Sequence, residues 1–403
     1  MTPARQAYRL SCRGWRVLVT GIGGQLGYDV LVVGETMTRA GQFAPRGLRQ
    51  SQSAAGESAQ SGRIEPVHLA EPIEVFGVGR AQLELSRPDV VRAVVLHWRP
   101  DVIVHAAAYT KVDLAEGDGR LEAYAVNAFG ARALARAAAE VGAEMLYVST
   151  DYVFDGTKGD AYCEWDQAAP VNEYGRSKWA GEEFVRRTLE RHWIVRTSWV
   201  YGENTGVSGG NFVKTMLRAA RGQLAEKGPV AAREGGRTAV TESGHRRAEL
   251  RVVADQVGCP TWSRDLAEGI WMLVLASRGA WQPTAGDGPK DDGSNGDSGA
   301  DLRVAGAGNG RVSGDGSRDL YGTYHMAGGG SCSWHELAVA TFAAAGLGER
   351  VTVHPVTTAE FPRPARRPAH SVLEPLACAA QGLPVLRPWR EAVDEFVRGL
   401  GDM

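Results

Sequence analysis

The sequence predicts an α/β fold: a doubly wound parallel sheet with helices on both faces, followed by a smaller C-terminal part. Two observations carry that prediction. Short apolar, β-branched runs alternate with helical runs through the first half of the chain, and a glycine-rich turn follows directly on the first apolar run. The chain has 403 residues, 43% of them hydrophobic, so it can bury a sizeable core in one large domain or two.

In order, "RVLVT" (16–20) reads as a buried strand that stops at glycine, and "GIGGQLGYDVLVV" turns helical after it. "IEVFGVG" (73–79) is a second strand, "VRAVVLHW" (91–98) a helix and "DVIVHAAA" (101–108) a third strand. "LEAYAVNAFGARALARAAAEVG" (121–142) predicts one Ala-rich helix, although Asn127 inside it is a poor helix former. "EMLYVST" (144–150) is a strand, "YGRSKWAGEEFVRRTLE" (174–190) a helix and "HWIVRTSWVYG" (192–202) a strand. Strands that alternate with helices lie parallel, and such sheets bind ligands at the carboxyl ends of their strands. We therefore expect a Rossmann-like NAD(P)-binding domain over 14–202 and a mainly substrate-binding part over 203–403, with elements returning to the sheet. Three polar stretches, 39–65, 222–248 and 283–318, read as surface insertions whose composition buries too little apolar surface to order itself.

Composition narrows the function. Formal net charge is −2, from 45 basic and 47 acidic residues, which argues against a nucleic-acid partner. Five cysteines, at 12, 163, 259, 332 and 378, contain no Cys-x-x-Cys, so a reducing, cytoplasmic setting fits. Nine histidines include no His-Glu-x-x-His, and no metal site is expected. The basic N-terminus lacks the apolar core of a secretory signal, and no run of about 18 apolar residues predicts a membrane span.

Gly21, Gly24 and Gly27 give G-x-x-G-x-x-G between strand and helix, where backbone can approach a pyrophosphate at a helix N-terminus. In a glycine-rich chain, that position in the fold is the confirming context. Tyr174 and Lys178 stand four apart at the start of a helix, so they share a face. A cation beside a phenol lowers its pKa and makes a usable proton donor; the alternative is a solvated surface pair. Thr150 ends a central strand, where its hydroxyl either faces the same crevice or simply terminates the strand. Asn127 either holds a water that relays protons to Lys178 or is exposed. At the end of the second strand, Gly79 and Arg80 replace the acidic residue that favours NAD, so NADPH is favoured and NADH is the alternative.

The ordered segments "GGQLG", "RPDVIVHAAAYTKVD", "STDYVFDG", "NEYGRSKWAGE", "RTSWVYG", "GNFVKTML", "ADQVGCPTW", "GTYHMAGGGSCSWHELA" and "RRPAHSVL" resemble the dTDP-4-dehydrorhamnose reductase family, within the extended short-chain dehydrogenases/reductases. The resemblance covers most of 16–400. It implies NAD(P)H-dependent reduction of the 4-keto group of a dTDP-linked 6-deoxysugar. It implies Tyr174 as the acid, Lys178 as its tuner and ribose ligand, and Thr150 as the hydroxyl on the substrate carbonyl. It places Gly24, Gln25 and Leu26 in the cofactor loop, with Glu84, Leu85, Ala107, Ala108 and Tyr109 as further cofactor contacts. Asp151 and Trp199 fall on the sugar side, and Asn211, Lys214 and Arg367 on the nucleotide-diphosphate side. His105 replaces an Asn often found before "AAAYT" and reads as a packed strand residue. Two other readings stay open: a non-catalytic relative of the methionine adenosyltransferase β subunit, and a reductase or epimerase of another nucleotide sugar. A homodimer is neither required nor excluded by the sequence.

Overall fold

A computed structural model describes residues 14–51, 64–204, 210–225, 247–281 and 318–401. Its centre is a six-stranded, all-parallel sheet built from β1 (Trp15–Thr20), β5 (Ile73–Val78), β6 (Val102–His105), β7 (Glu144–Thr150), β8 (His192–Thr197) and β13 (Gly322–His325). The spatial order is β13-β8-β7-β6-β1-β5. The chain leaves β1 for β5 on one side and returns to β6 on the other, so the crevice beyond the ends of β1 and β6 is a topological switch point.

The inner strands β1, β6 and β7 are buried on both faces, which is why their sequences are mostly apolar runs. On one face, α1 (Gln25–Ala40) packs with α8 (Ser263–Ser277) around Val17, Val19, Val30, Trp193 and Trp271. On the other lie α2 (Pro88–Trp98), α5 (Ala131–Val141) and α6 (Glu173–Thr188), around Leu18, Val91, Val95, Leu134 and Val185. A separate apolar cluster joins α7 (Phe212–Ala225), the parallel pair β10 (Ala248–Val253) and β15 (Val351–Val356), α9 (Trp334–Ala344) and α11 (Trp389–Gly399).

Three sequence expectations need correction. The run 121–142 is not one α-helix: α4 (Arg120–Tyr124) passes through a π-helical segment, Ala125–Gly130, into α5. Within that segment the Asn127 carbonyl accepts from Tyr147 Oη at 2.9 Å, and its side chain bonds outside the helix, so the regular ladder widens there. The run 192–202 is not one strand. β8 stops at Thr197, Trp199 takes a left-handed φ of 45°, and β9 (Val200–Tyr201) pairs with β12 (Thr261–Trp262) outside the main sheet.

The stretch 39–65 is not wholly a surface insertion. Phe43 and Leu48 are buried in the main core, and β3 (Leu48–Arg49) pairs antiparallel with β16 (Val385–Leu386). The backbone N–H groups of Arg46 and Gly47 donate to the buried carboxylate of Glu268, at 2.8 and 2.7 Å. Average polarity concealed two well-placed apolar side chains and a distant carboxylate. Residues 52–63, 226–246 and 282–317 lie outside the described residues, and with them most of the other two polar stretches.

Candidate active site

The glycine turn is shaped by sterics. Gly21 has φ 79°, and a Cβ there would stand 2.6 Å from the Ala107 backbone. A Cβ on Gly27 would stand 2.3 Å from the Gly21 carbonyl oxygen, so the first turn of α1 lies against the end of β1. Gly21 N donates to Val78 O at 3.0 Å and Gly24 N to Gly21 O at 2.9 Å, which fixes the turn. Gly24 caps α1 without a side chain, and the space beside Gly23 is open, so the first N–H groups of the helix have no side-chain acceptor. That is an anion cradle at the positive end of a helix.

The second wall of the crevice follows β6. Asn127 Oδ1 accepts from Tyr109 N at 2.8 Å, and its Nδ2 donates to Tyr109 O at 3.1 Å and to Ser177 Oγ at 2.9 Å. Asn127 is therefore buried with its amide bonded on both sides, which corrects the reading that it is exposed; it holds the Tyr109 backbone in place. His105 is buried, with Nδ1 2.7 Å from Thr20 Oγ1, and burial helped by the nearby Lys178 charge pushes it down to about 3. It is a packed neutral strand residue, as expected.

Tyr174 and Lys178 lie on α6, whose N-terminus is set by Asn172: its Oδ1 accepts from Gly175 N at 2.7 Å, and its Nδ2 donates to Arg366 O at 2.8 Å. Tyr174 packs against the Tyr109, Ala115 and Ala123 cluster, and its ring meets Tyr152 edge-on at 5.8 Å. Burial pushes its hydroxyl up to about 12, opposed by a hydrogen bond with Thr150. Lys178 is buried; its Nζ donates to Val148 O at 2.7 Å and lies 4.0 Å from the Tyr147 ring centroid. Burial lowers it to about 7, with Glu182 opposing. The expected direction for the phenol is thus reversed. Desolvation sets the direction, and the ammonium is turned toward a carbonyl and a ring face. One turn on, burial of Glu182 is outweighed by Arg196 and Arg186, which hold it at about 2, so it is ionised at neutral pH.

Thr150 ends β7 and donates to Asp151 Oδ1 at 3.1 Å. Asp151 differs from the expectation of a direct sugar contact. It is buried, and its other oxygen accepts from Ser198 Oγ at 3.1 Å and Ser371 Oγ at 2.6 Å. Burial raises it to about 6, with the three hydroxyls opposing. It therefore joins the ends of β7 and β8 to the C-terminal segment beneath Thr150. Ser198 and Ser371 were missed as single residues, although "RTSWVYG" and "RRPAHSVL" contain them.

Other expected residues have structural partners. Leu26 and Leu85 are core side chains, which leaves only their backbone for a cofactor. Gln25 Oε1 accepts from Asn211 Nδ2 at 2.8 Å, and Asn211 also bonds Gly202 O and Lys214 N. Asn211 thus ties the start of α7 to the glycine turn. Lys214 Nζ donates to Glu203 O at 2.5 Å. Arg367 forms a two-pronged pair with Asp113 at 2.7 and 3.0 Å, which holds the 365–367 loop to α3 (Val112–Ala115). Beside it opens a cavity of about 460 Å³, lined in part by Gly156, Thr157, Gln256, Arg363 and Arg366. Arg80 is exposed at the end of β5 and pairs with Glu84 and Glu122, both at 3.2 Å. No group of His, Cys, Asp and Glu with metal-site geometry occurs among the described residues, and no described helix is long and apolar enough to cross a membrane.

The chain matches the family model described as the RmlD substrate binding domain, over residues 54–227 and 311–401. It is 34% identical over 323 residues to a dTDP-4-dehydrorhamnose reductase of Sinorhizobium fredii, covering 80% of this chain and 88% of the relative. The chain belongs to the dTDP-4-dehydrorhamnose reductase family. A second relative of that name, from Burkholderia thailandensis, is 36% identical over 344 residues, covering 82% of this chain and 94% of the relative. A dTDP-4-dehydrorhamnose reductase from Bacillus anthracis, solved in complex with NADP, superposes with a TM-score of 0.67 at 32% identity, covering 96% of this chain and 100% of that one. The named relatives and the NADP-bound neighbour make this an NAD(P)H-dependent oxidoreductase of the reductase family.

Proposed function

We propose that the chain reduces the 4-keto group of dTDP-4-dehydro-L-rhamnose to give dTDP-L-rhamnose, with NADPH as reductant. The observation that supports the reading is the hydrogen bond between Tyr174 and Thr150 at the carboxyl end of β7, with Lys178 one turn on in α6 and the glycine turn at the carboxyl end of β1 in the same parallel sheet. Gly21, Gly24 and Gly27 fit a pyrophosphate, and the uncapped start of α1 supplies N–H donors. Arg80, at the end of β5, would meet a 2′-phosphate; Glu84 and Glu122 hold its guanidinium there.

NADPH, when bound, supplies the hydride that the carbonyl carbon accepts. Tyr174 gives its Oη proton to the carbonyl oxygen. A phenol held near 12 stays protonated at neutral pH, which suits a donor in the reductive direction. Thr150 stands beside it to meet charge developing on that oxygen. Lys178 would hold the nicotinamide ribose and, once charged, ease proton loss from Tyr174.

The test is NADPH consumption by the purified chain with a panel of dTDP-, UDP- and GDP-linked 4-keto-6-deoxysugars, repeated with NADH. The dTDP sugar with NADPH should give the highest kcat/KM, and Arg80→Ala should narrow the preference for NADPH over NADH. A better UDP or GDP substrate would overturn the proposed sugar. A wild type that prefers NADH would overturn the role given to Arg80.

A further inference from the structure

Trp199 is a bulky residue in a left-handed conformation, φ 45°, a region that costs free energy unless its surroundings impose it. The surroundings are visible. Ser198, on one side, is fixed to Asp151, and Val200, on the other, pairs with Thr261. The indole edge of Trp199 lies against Gly258, where a Cβ would come within 2.6 Å of the ring. One indole face is covered by Trp334, with ring centroids 3.5 Å apart and planes 7° from parallel.

Trp334 is itself held on several sides. It is the first residue of α9, directly after Ser333, whose capping box with Glu336 sets the helix start. Its Nε1 donates to Gln256 Oε1 at 3.3 Å, and Phe212 meets its ring at 4.6 Å. Trp199, Trp334 and Phe212 line a small cavity together with Gln25 and Asn211, the amide pair that touches the glycine turn.

We propose that Trp334 is a positioning residue for the sugar site: by stacking on Trp199 it holds that ring in its strained pose, so that sugar recognition depends on the start of α9. The inference rests on the reductase reading and on the sugar-side place that the family resemblance implies for Trp199. The stacked indoles bury a large, rigid apolar area that no aliphatic side chain reproduces. Residue 334 lies 135 positions beyond Trp199, so the contact is made only when the C-terminal part has closed onto the sheet.

The experiment compares wild type with Trp334→Ala, Trp334→Phe, Trp199→Ala and the double alanine variant. Affinity is measured by calorimetry for whichever nucleotide sugar of the panel the wild type binds, so a wrong sugar assignment does not blunt the test. Trp334→Ala should weaken sugar binding and raise its KM about tenfold, with kcat and NADPH affinity changed less than about threefold. Trp334→Phe should recover most of the loss. The double variant should be no worse than Trp199→Ala alone, because both remove one unit. The stacked indoles should give a far-ultraviolet circular-dichroism couplet that Trp334→Phe abolishes. Unchanged sugar affinity in Trp334→Ala, or losses that multiply in the double variant, would overturn the proposal. Should Trp334→Ala not fold, Gln256→Leu keeps both rings and removes the bond that orients Trp334. It should raise KM with NADPH affinity retained, and an unchanged KM there overturns the proposal equally.

Discussion

Tyr174 and Lys178 show how a correct pairing of residues can hide the wrong electrostatics. Spacing put them on one face of a helix, and the helix is there. Burial then raised the phenol to about 12 and lowered the ammonium to about 7, which no spacing rule conveys. Two outcomes follow. Tyr174→Phe should lower kcat by about two to four orders of magnitude with NADPH affinity nearly intact, read by steady-state kinetics and by fluorescence titration. Binding of NADPH should also take up protons. A ribose hydroxyl and the cofactor's negative charge favour charged Lys178, so its pKa rises on binding. Uptake should be roughly half a proton at pH 7, measured by calorimetry in buffers of different ionisation enthalpy. Lys178→Met should abolish the uptake, and its persistence in that variant would assign it elsewhere.

At the scale of elements, α6 crosses the π-helical segment at Gly181. A Cβ there would stand 2.2 Å from Asn127 O and 2.4 Å from Tyr147 Oη, both of them fixed atoms in a buried hydrogen bond. Gly181→Ala should therefore destabilise by about 1–3 kcal/mol through overpacking, read by urea unfolding, even though alanine is the better helix former. A stabilised variant would mean that the two elements can part without cost. The regular strands β1, β6 and β7 were legible because burial on both faces makes them apolar runs with glycine or polar ends, and the edge strand β5 because its β-branched and aromatic run stops at glycine. The π-helical segment was not legible, because its cause lies in Tyr147 and Tyr109, side chains and backbone of other elements. The break at Trp199 was hidden for the same reason: Thr, Trp, Val and Tyr dominate "RTSWVYG" and favour a strand, and the partner that draws Val200 away is Thr261. Asn211 and Arg367 carried the right chemistry for phosphate, and sequence had no way to reveal Gln25 and Asp113 as their partners.

For the whole molecule, Glu268 reports on how distant segments are joined. It sits in α8, is buried, and binds the Arg46 and Gly47 N–H groups. Burial raises it from 4.5 to about 7, with those backbone bonds opposing. Folded Glu268 thus holds its proton at a higher pH than the unfolded chain does. Its ionisation cost is full above pH 7 and is relieved as pH falls from about 7 toward 4.5. Glu268→Gln keeps an acceptor and removes the charge. Relative to wild type it should gain up to about 3 kcal/mol at pH 8 over its value at pH 4.5, read from urea midpoints at both pH values. An equal difference at both would show that Glu268 does not titrate in this range. The three hydroxyls on Asp151 have a different consequence, one of timing. Thr150 and Ser198 leave the ribosome early, whereas β13 completes the sheet edge only at His325, and Ser371 follows it. A nascent chain can thus shape its glycine turn long before the proposed proton-donating centre is braced. The reaction site is among the last parts of the protein to be finished, and a chain interrupted late in synthesis would hold cofactor better than it turns over sugar.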